Sequence, residues 1–198
     1  MKFQLISLIL IVGILISCKT GDEDVSLSAT GSDYKVLVEV TDDYAMMLPN
    51  YFVEMTDINP KAVLQYGFIS NTDSVNKHFE DEFFVTILAL KKSDLGLTLA
   101  DSGVVTIDKV NQKTTINLSL ILEDFKVIRE KPVTELINGI VTLRNEFSGK
   151  LGQYKVFYKM AIYETETYFY QLLTWCMQKH ADKHSNEMDD MIHSFENV

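Results

Sequence analysis

Two neighbouring segments near the C-terminus decide the fold: YKVFYKMAIYE at Tyr154–Glu164 and TYFYQLLTWCM at Thr167–Met177. Aromatic and aliphatic residues dominate both segments, and a polar turn at Glu164-Thr165-Glu166 separates them, which predicts an antiparallel hairpin. In each segment the odd-numbered and the even-numbered positions both carry apolar side chains, so both faces of the predicted strands are apolar. We therefore expect a sheet that is covered on both sides, with helices as the covers.

Five further segments are predicted to contain strands. Their alternating apolar positions lie at 34–40, 44–48, 62–69, 83–91 and 133–147. We expect an Asp42-Asp43 turn after the first segment and a polar loop at 70–82 after the third. Pro49 ends the second strand because proline has no backbone N–H to donate. Within the last segment, Ile137-Asn138-Gly139 predicts a turn that leads into a strand.

Helical periodicity predicts one cover at the C-terminus and a second one in the middle of the chain. The C-terminal stripe consists of Met177, Ala181, His184, Met188, Met191, Ile192 and Phe195. The second stripe, for a helix at 98–122, consists of Ile107, Val110, Thr114, Leu118, Ile121 and Phe125, although this region is locally β-prone. Ser93-Asp94 before Leu95 is predicted to cap an early turn. The predicted fold class is α+β, an antiparallel sheet sandwiched between helices (α/β/α).

The N-terminal residues have the pattern of a targeting segment. Met1-Lys2 is followed by an almost wholly apolar run, FQLISLILIVGILI at 3–16, which is shorter than a membrane span and typical of a signal peptide. The run ends in Leu15-Ile16-Ser17-Cys18, which resembles the lipobox of bacterial lipoproteins. The resemblance implies cleavage between Ser17 and Cys18 and lipidation of Cys18. The alternatives are an ordinary signal peptide or a membrane anchor with an incidental cysteine.

This interpretation divides the chain into a signal peptide at 1–17, a lipidated cysteine with a flexible tether at 18–32, and a single domain at 33–198. The tether is polar and can extend to roughly 45 Å at about 3.3 Å per residue. Its Lys19 is followed by the acidic run Asp22-Glu23-Asp24, which looks like the start of lipoproteins exported to the outer face in some Gram-negative lineages. We expect a lipid-anchored protein of the cell envelope, at the outer membrane, with the periplasmic or surface face left open.

Composition sets limits on the class of protein. The chain has 198 residues, of which 18 are Lys or Arg and 28 are Asp or Glu, and its formal net charge is -10. This acidic balance disfavours nucleic-acid binding, which needs clustered cations on the protein. Two cysteines cannot build a disulfide scaffold, and Cys176, in an apolar run, is predicted to be a buried, unreactive thiol.

Several short pieces of the domain resemble the PsbP-like family, whose members include small bacterial lipoproteins. The pieces are Leu48-Pro49, Asn59 to Tyr66, Ile137-Asn138-Gly139, Tyr158 to Glu164, Tyr170 to Trp175 and Ile192 to Phe195. The resemblance implies an antiparallel sheet between helices and a role in protein interaction. Because one fold supports many functions, the resemblance alone does not assign one.

Few residues suggest a binding site. His180 and His184 are four residues apart on the predicted helix, a spacing that can chelate a metal, but no third ligand is evident and we predict neither a metal nor a cofactor. Glu164 at a strand end, with the nearby rings of Tyr163 and Tyr168, is a candidate for ligand binding. Acidic pairs, including those at Glu80-Asp81-Glu82 and Asp189-Asp190, are better explained as solvated turns. No nucleophile or phosphate-binding motif is present.

The leading prediction is a non-enzymatic, lipid-anchored accessory module that binds an envelope protein. One alternative is a small-ligand or metal-binding lipoprotein that uses the groove between the sheet and the terminal helix. Another is an envelope hydrolase, which would need Glu164 close to a second carboxylate.

Overall fold

The computed structural model describes residues 34–39, 44–71, 79–99 and 105–197. The predicted signal peptide with Ser17 and Cys18, the tether and the Asp42-Asp43 turn lie outside the described residues. The domain boundaries therefore stay predictions.

The described residues form eleven strands and three α-helices. The strands are β1 Tyr34–Glu39, β2 Tyr44–Pro49, β3 Val53–Glu54, β4 Leu64–Asn71, β5 Phe79–Lys91, β6 Glu123–Val127, β7 Val133–Ile137, β8 Ile140–Leu151, β9 Tyr154–Glu164, β10 Tyr168–Met177 and β11 Glu196–Asn197. The helices are α1 Lys92–Leu99, α2 Ile107–Ile121 and α3 Ala181–Ser194, and a short 3-10 helix, Gln178–His180, precedes α3. Within these residues no helix combines the length and the apolar character that crossing a membrane requires.

The strands form a large antiparallel sheet and a small one. The large sheet has the order β3-β4-β5-β10-β9-β8-β6, with β7 also paired to β8, and the small sheet has the order β1-β2-β11. The predicted hairpin of β9 and β10 is confirmed, with Ala161 opposite Leu172. The β8–β9 turn at Gly152 marks one end of the large sheet, called here the Gly152 end. The β9–β10 turn marks the other, called the Thr165 end.

Each face of the large sheet carries its own apolar core. This agrees with the prediction that both faces of the strands are apolar. On one face α3 and β2 pack on the sheet, and this core includes the fully buried Phe83, Tyr163, Met188, Met191 and Phe195. On the other face α2 packs on the sheet, and this core includes Val110, Leu118, Phe147, Tyr158 and Met160. The fold class is α+β, with an antiparallel sheet between helices. Removal of these apolar surfaces from water is the main force that holds the layers together.

The central helix differs from the prediction. The predicted helix at 98–122 is α2 alone, which begins at Ile107, and residues 100–104 are outside the described part of the chain. The Thr106 hydroxyl accepts a hydrogen bond from the Lys109 backbone N–H and caps the helix. The β-prone sequence is helical because tertiary burial of one stripe outweighs local propensity. The predicted Ser93-Asp94 cap is wrong, because α1 already begins at Lys92.

The boundary after α2 also differs. Phe125 was predicted on the helical stripe but lies in β6, where its ring stacks on Phe147 with centroids 5.6 Å apart. The helix stops at Leu122, whose backbone is extended and whose side chain packs over Gly149. A Cβ at Gly149 would approach the Leu122 Cβ to 2.9 Å, so the glycine is what lets the chain pass this close. The predicted 70–82 loop is shorter than expected, because β4 and β5 extend into it.

Candidate functional site

The strongest cluster of titratable groups surrounds His184 of α3. The His184 Nε2 lies 3.0 Å from Asp81 Oδ1 of β5, and its Nδ1 lies 2.8 Å from Glu187 Oε2. His184 is 1% exposed as a residue, and its ring stacks on Phe83 with centroids 4.4 Å apart. The Nε2 contact joins the helix to the sheet, and the Nδ1 contact with Glu187 lies within α3.

Asp81 is the acceptor at the centre of this cluster. A neutral imidazole has one N–H, whereas the imidazolium has two, so only the charged form of His184 donates to both Asp81 and Glu187. Burial by itself would raise the pKa of Asp81, but hydrogen bonds from Lys183 and His184 outweigh burial and hold this pKa below its ordinary value. Lys183 Nζ lies 2.5 Å from Asp81 Oδ2. Asp81 is thus a buried carboxylate that is compensated by Lys183 and His184.

His180 and His184 are neighbours in the structure, but their rings are not arranged to bind one metal ion together. The two rings are 6.5 Å apart between centroids and nearly perpendicular. Both nitrogens of His184 already face carboxylate oxygens. Among the described residues no group of three or more His, Cys, Asp or Glu side chains is arranged to hold a metal ion. This pair is better described as part of the interface between α3 and the sheet.

A second charged cluster lies under the middle of α3. Lys159 of β9 is 5% exposed and donates to the Ser185 carbonyl at 3.1 Å, the Ser185 hydroxyl at 2.8 Å and Asp189 Oδ2 at 2.7 Å. Arg144 contacts the other Asp189 oxygen at 3.4 Å and pairs with Glu135. A cavity of about 10 Å³ beside these groups has room for roughly one water molecule.

The predicted ligand-binding residues of the Thr165 end do not form a shared site. Tyr163 is fully buried, donates its hydroxyl to the Ile192 carbonyl at 2.7 Å, and has its pKa raised by burial. Glu164 pairs with Lys92 at 3.0 Å on the surface. Tyr168 is half-buried and packs at 5.6 Å from Tyr170. The prediction that the Tyr163 ring contacts a ligand is therefore wrong, because this ring is part of the core.

Sequence reasoning missed the charged partners in these clusters, among them Asp81, Asp189 and Lys159. Asp81 and Asp189 were interpreted as solvated acids, and Lys159 was not singled out. The strand period does contain a signal: Asp81 has the same parity as the core residues Phe83 and Val85, and Lys159 has that of Ala161. Alternation therefore indicated that Asp81 and Lys159 point inward. It did not indicate their partners, which lie on α3.

Cys176 is buried, as predicted. Its side chain lies within the core under α3, and burial raises the pKa of the thiol to about 12. A thiol in this environment is almost entirely protonated at neutral pH and is a poor nucleophile.

An open groove lies at the β3–β4 edge of the large sheet. It has a volume of about 210 Å³ and is lined by Glu54, Met55, Thr56, Ala62, Val63, Leu64, Gln65 and Tyr66. The Gln65 side chain accepts from the Asn59 backbone N–H at 2.7 Å and so fixes the loop beside the groove. The groove contains one carboxylate and no predicted site residue.

Comparison with known proteins identifies the fold. No family model and no curated protein matches the sequence. The solution structure of cyanobacterial PsbP (CyanoP) from a Synechocystis species aligns with a TM-score of 0.54 and 14% identity, over 87% of this chain and 98% of that one. The Saccharomyces cerevisiae Ran-binding protein Mog1p aligns with a TM-score of 0.48 and 12% identity, over 83% and 95%. LpqN, described as involved in cell envelope biogenesis of Mycobacterium tuberculosis, aligns with a TM-score of 0.45 and 13% identity, over 85% of this chain and 86% of that one. The likeness to CyanoP, together with the sheet between two helical layers, shows that this chain has the PsbP-like fold.

Proposed function

We propose that this chain is a lipid-anchored protein of the bacterial cell envelope whose PsbP-like domain is a non-enzymatic module that binds another protein. The observation that carries the proposal is the apolar run at 3–16 followed by Leu15-Ile16-Ser17-Cys18. Several acyl chains on one cysteine would hold the protein at a bilayer, since each buried methylene contributes about 0.8 kcal/mol.

The two charged clusters of the domain support a non-enzymatic role. The His184 Nε2 contact with Asp81 and the Lys159 contacts with Ser185 and Asp189 link α3 to the sheet, while His184 Nδ1 contacts Glu187 within the helix. The cavity beside Lys159 has room for about one water molecule, which does not favour a small-ligand site between sheet and helix. Exposed aliphatic side chains, such as the cross-strand pair Leu136 and Val141 near the Thr165 end, offer apolar surface for a protein contact.

The anchor is tested by comparing Cys18→Ser with Cys176→Ser. We expect Cys18→Ser to abolish incorporation of labelled palmitate and to abolish the cleavage that follows lipidation. Cys176→Ser is the matched control, because it makes the same chemical change at a buried core position and should leave labelling intact. Labelling that survives in Cys18→Ser would contradict the anchor.

The partner is tested by photo-crosslinking in intact cells. A photoreactive residue at Leu136, which is 70% exposed, is compared with one at Gln112 on the outer face of α2. Enrichment of one envelope protein from a single position supports an accessory module. Recovery of only abundant membrane proteins from both positions would count against it.

A further inference from the structure

The Gly152 end of the large sheet exposes apolar side chains. Leu120 and Ile121, in the last turn of α2, are 79% and 50% exposed, and Tyr154, at the start of β9, is 37% exposed. Leu122 packs over Gly149, so the end of α2 lies beside the β8–β9 turn. These three side chains therefore occur at one end of the molecule.

Lysine side chains surround the same end. Lys150 pairs with Asp124, and the charges of Lys126 and Lys155 also act on this carboxylate. The strand register explains the grouping, because Glu123 pairs with Lys150 across β6 and β8, and Lys150 pairs with Lys155 across β8 and β9. The group therefore holds three lysines and the two carboxylates of Glu123 and Asp124, a small cationic excess on a chain whose formal net charge is -10.

The first described strand joins the domain on the α3 face of the large sheet, nearer to the Gly152 end of the strands than to the Thr165 end. Tyr34, the first described residue, lies opposite Pro49 in the small sheet. The Pro49 carbonyl accepts from the Phe52 N–H, and the Phe52 ring contacts Phe83 with centroids 4.9 Å apart. Phe83 pairs with Cys176, one residue before the end of β10. The register then continues from Cys176 to Phe157 near the start of β9, at the Gly152 end.

We propose that the Gly152 end of the domain lies against the surface of an anionic phospholipid bilayer. The proposal rests on the proposed lipid anchor at Cys18. From Cys18 to Tyr34 the chain spans at most about 50 Å when extended and roughly 20 Å as a flexible coil, so the bilayer is always within reach of this end. Leu120, Ile121 and Tyr154 enter the headgroup region, while Lys126 and Lys155 contact lipid phosphates.

The occupant is a lipid surface because of this combination of features. Exposed aliphatic residues next to an aromatic residue, with flexible lysines around them, match the polar and apolar layers of a bilayer interface. Each lysine near an anionic surface raises the partition coefficient by about fivefold, and salt weakens this effect. The acidic remainder of the chain is repelled by the same surface, which orients the domain with the Gly152 end towards the lipid.

The test uses the lipidated protein, purified from membranes and reconstituted into vesicles of phosphatidylethanolamine with phosphatidylglycerol. In a Cys176→Ser background, an environment-sensitive fluorophore is placed at Gln153→Cys in the β8–β9 turn. The matched label is at Glu166→Cys, an exposed position in the β9–β10 turn at the opposite end. We expect a blue shift and quenching by nitroxide lipids at Gln153 only, and loss of both signals in pure phosphatidylcholine vesicles.

Charge reversal supplies the second arm. Lys126→Glu with Lys155→Glu should abolish the Gln153 signal, whereas Lys61→Glu with Lys91→Glu, the same charge change at exposed positions elsewhere, should preserve it. If the protein floats with the vesicles in a density gradient but neither fluorophore shows a blue shift or quenching, the anchor is supported and this proposal fails. Equal responses at the two labels, or indifference to charge reversal, also overturn it. If the fluorophore at position 153 responds in native envelope vesicles but not in the reconstituted lipid vesicles, the Gly152 end binds a protein partner instead of lipid. Failure of the protein to float overturns both the anchor and this proposal.

Discussion

His184 and Asp81 are separated by 103 residues in sequence and by 3.0 Å between His184 Nε2 and Asp81 Oδ1 in the fold. One is on α3 and the other on β5, and both side chains are buried, with 2% and 7% of their surface exposed. This contact and the Lys159–Asp189 pair are two of the polar links between the terminal helix and the large sheet. Asp81, His184 and Lys159 are buried, so each loses compensation when a partner is removed, whereas Asp189 is 37% exposed.

Replacement of His184 with alanine should destabilise the domain strongly. The change leaves Asp81 buried with Lys183 as its remaining partner and removes the ring that stacks on Phe83, so we expect a loss of about 3 kcal/mol in the free energy of unfolding. Urea denaturation measures this loss. His193→Ala, on the same helix but at an exposed position, is the control and should cost less than about 1 kcal/mol. Equal urea midpoints for His184→Ala and His193→Ala would contradict the prediction that His184 stabilises the fold.

Replacement of Lys159 with methionine tests the second link. Methionine keeps the length of the side chain but removes the donor to both Ser185 oxygens and leaves Asp189 with Arg144 as a remaining partner, so we expect a loss of about 2 kcal/mol. Lys155→Met, on the same strand but exposed, should change the free energy of unfolding by less than about 0.5 kcal/mol. Thermal and urea unfolding of both variants gives the comparison. An unchanged midpoint in Lys159→Met would show that the apolar core alone holds α3.

The pKa of Asp81 predicts an acid-sensitive contribution to stability. Its pKa is lowered in the folded state, so Asp81 stabilises the fold at pH values above the unfolded pKa, and this contribution disappears as the pH falls through the folded pKa. We expect wild-type stability to fall below about pH 4, and Asp81→Asn to be less stable at pH 7 but to show a shallower fall in acid. Asp124→Asn removes an exposed, screened pair and should keep the wild-type acid slope. Identical slopes for Asp81→Asn and the wild type would contradict the assignment.

Cys176 should be unreactive in the native protein. Because burial raises the pKa of its thiol to about 12, almost no thiolate is present at pH 8. A chromogenic disulfide reagent should release no thiol colour from the folded, lipidated protein and should titrate a single thiol after denaturation. Titration of two thiols in the denatured protein would mean that Cys18 is unmodified. Rapid reaction of the native protein would instead show that α3 opens readily from the sheet.

Strand and helix periods predicted most of the architecture. Alternation placed β2, β5 and the β9–β10 hairpin, and the three-and-four stripe placed α3, because these patterns depend only on neighbours along the chain. The region from Leu118 to Phe125 satisfies a helical stripe and is also β-prone, so its pattern alone did not locate the end of α2. The contact of Leu122 with Gly149 decides that boundary, and this contact exists only after β8 is in place.

The sequence by itself determined that the sheet is apolar on both faces, that the chain ends in a helix and where the candidate lipidation site lies. Each of these features depends on the pattern of adjacent residues. Only the tertiary structure decided that Asp81 pairs with His184 and Lys159 with Asp189, and that Leu122 packs over Gly149. The physical reason is that burial of a charge depends on a partner supplied from elsewhere in the chain. A period of two or of 3.6 residues indicates the direction of a side chain, and the packing of layers determines what that side chain meets.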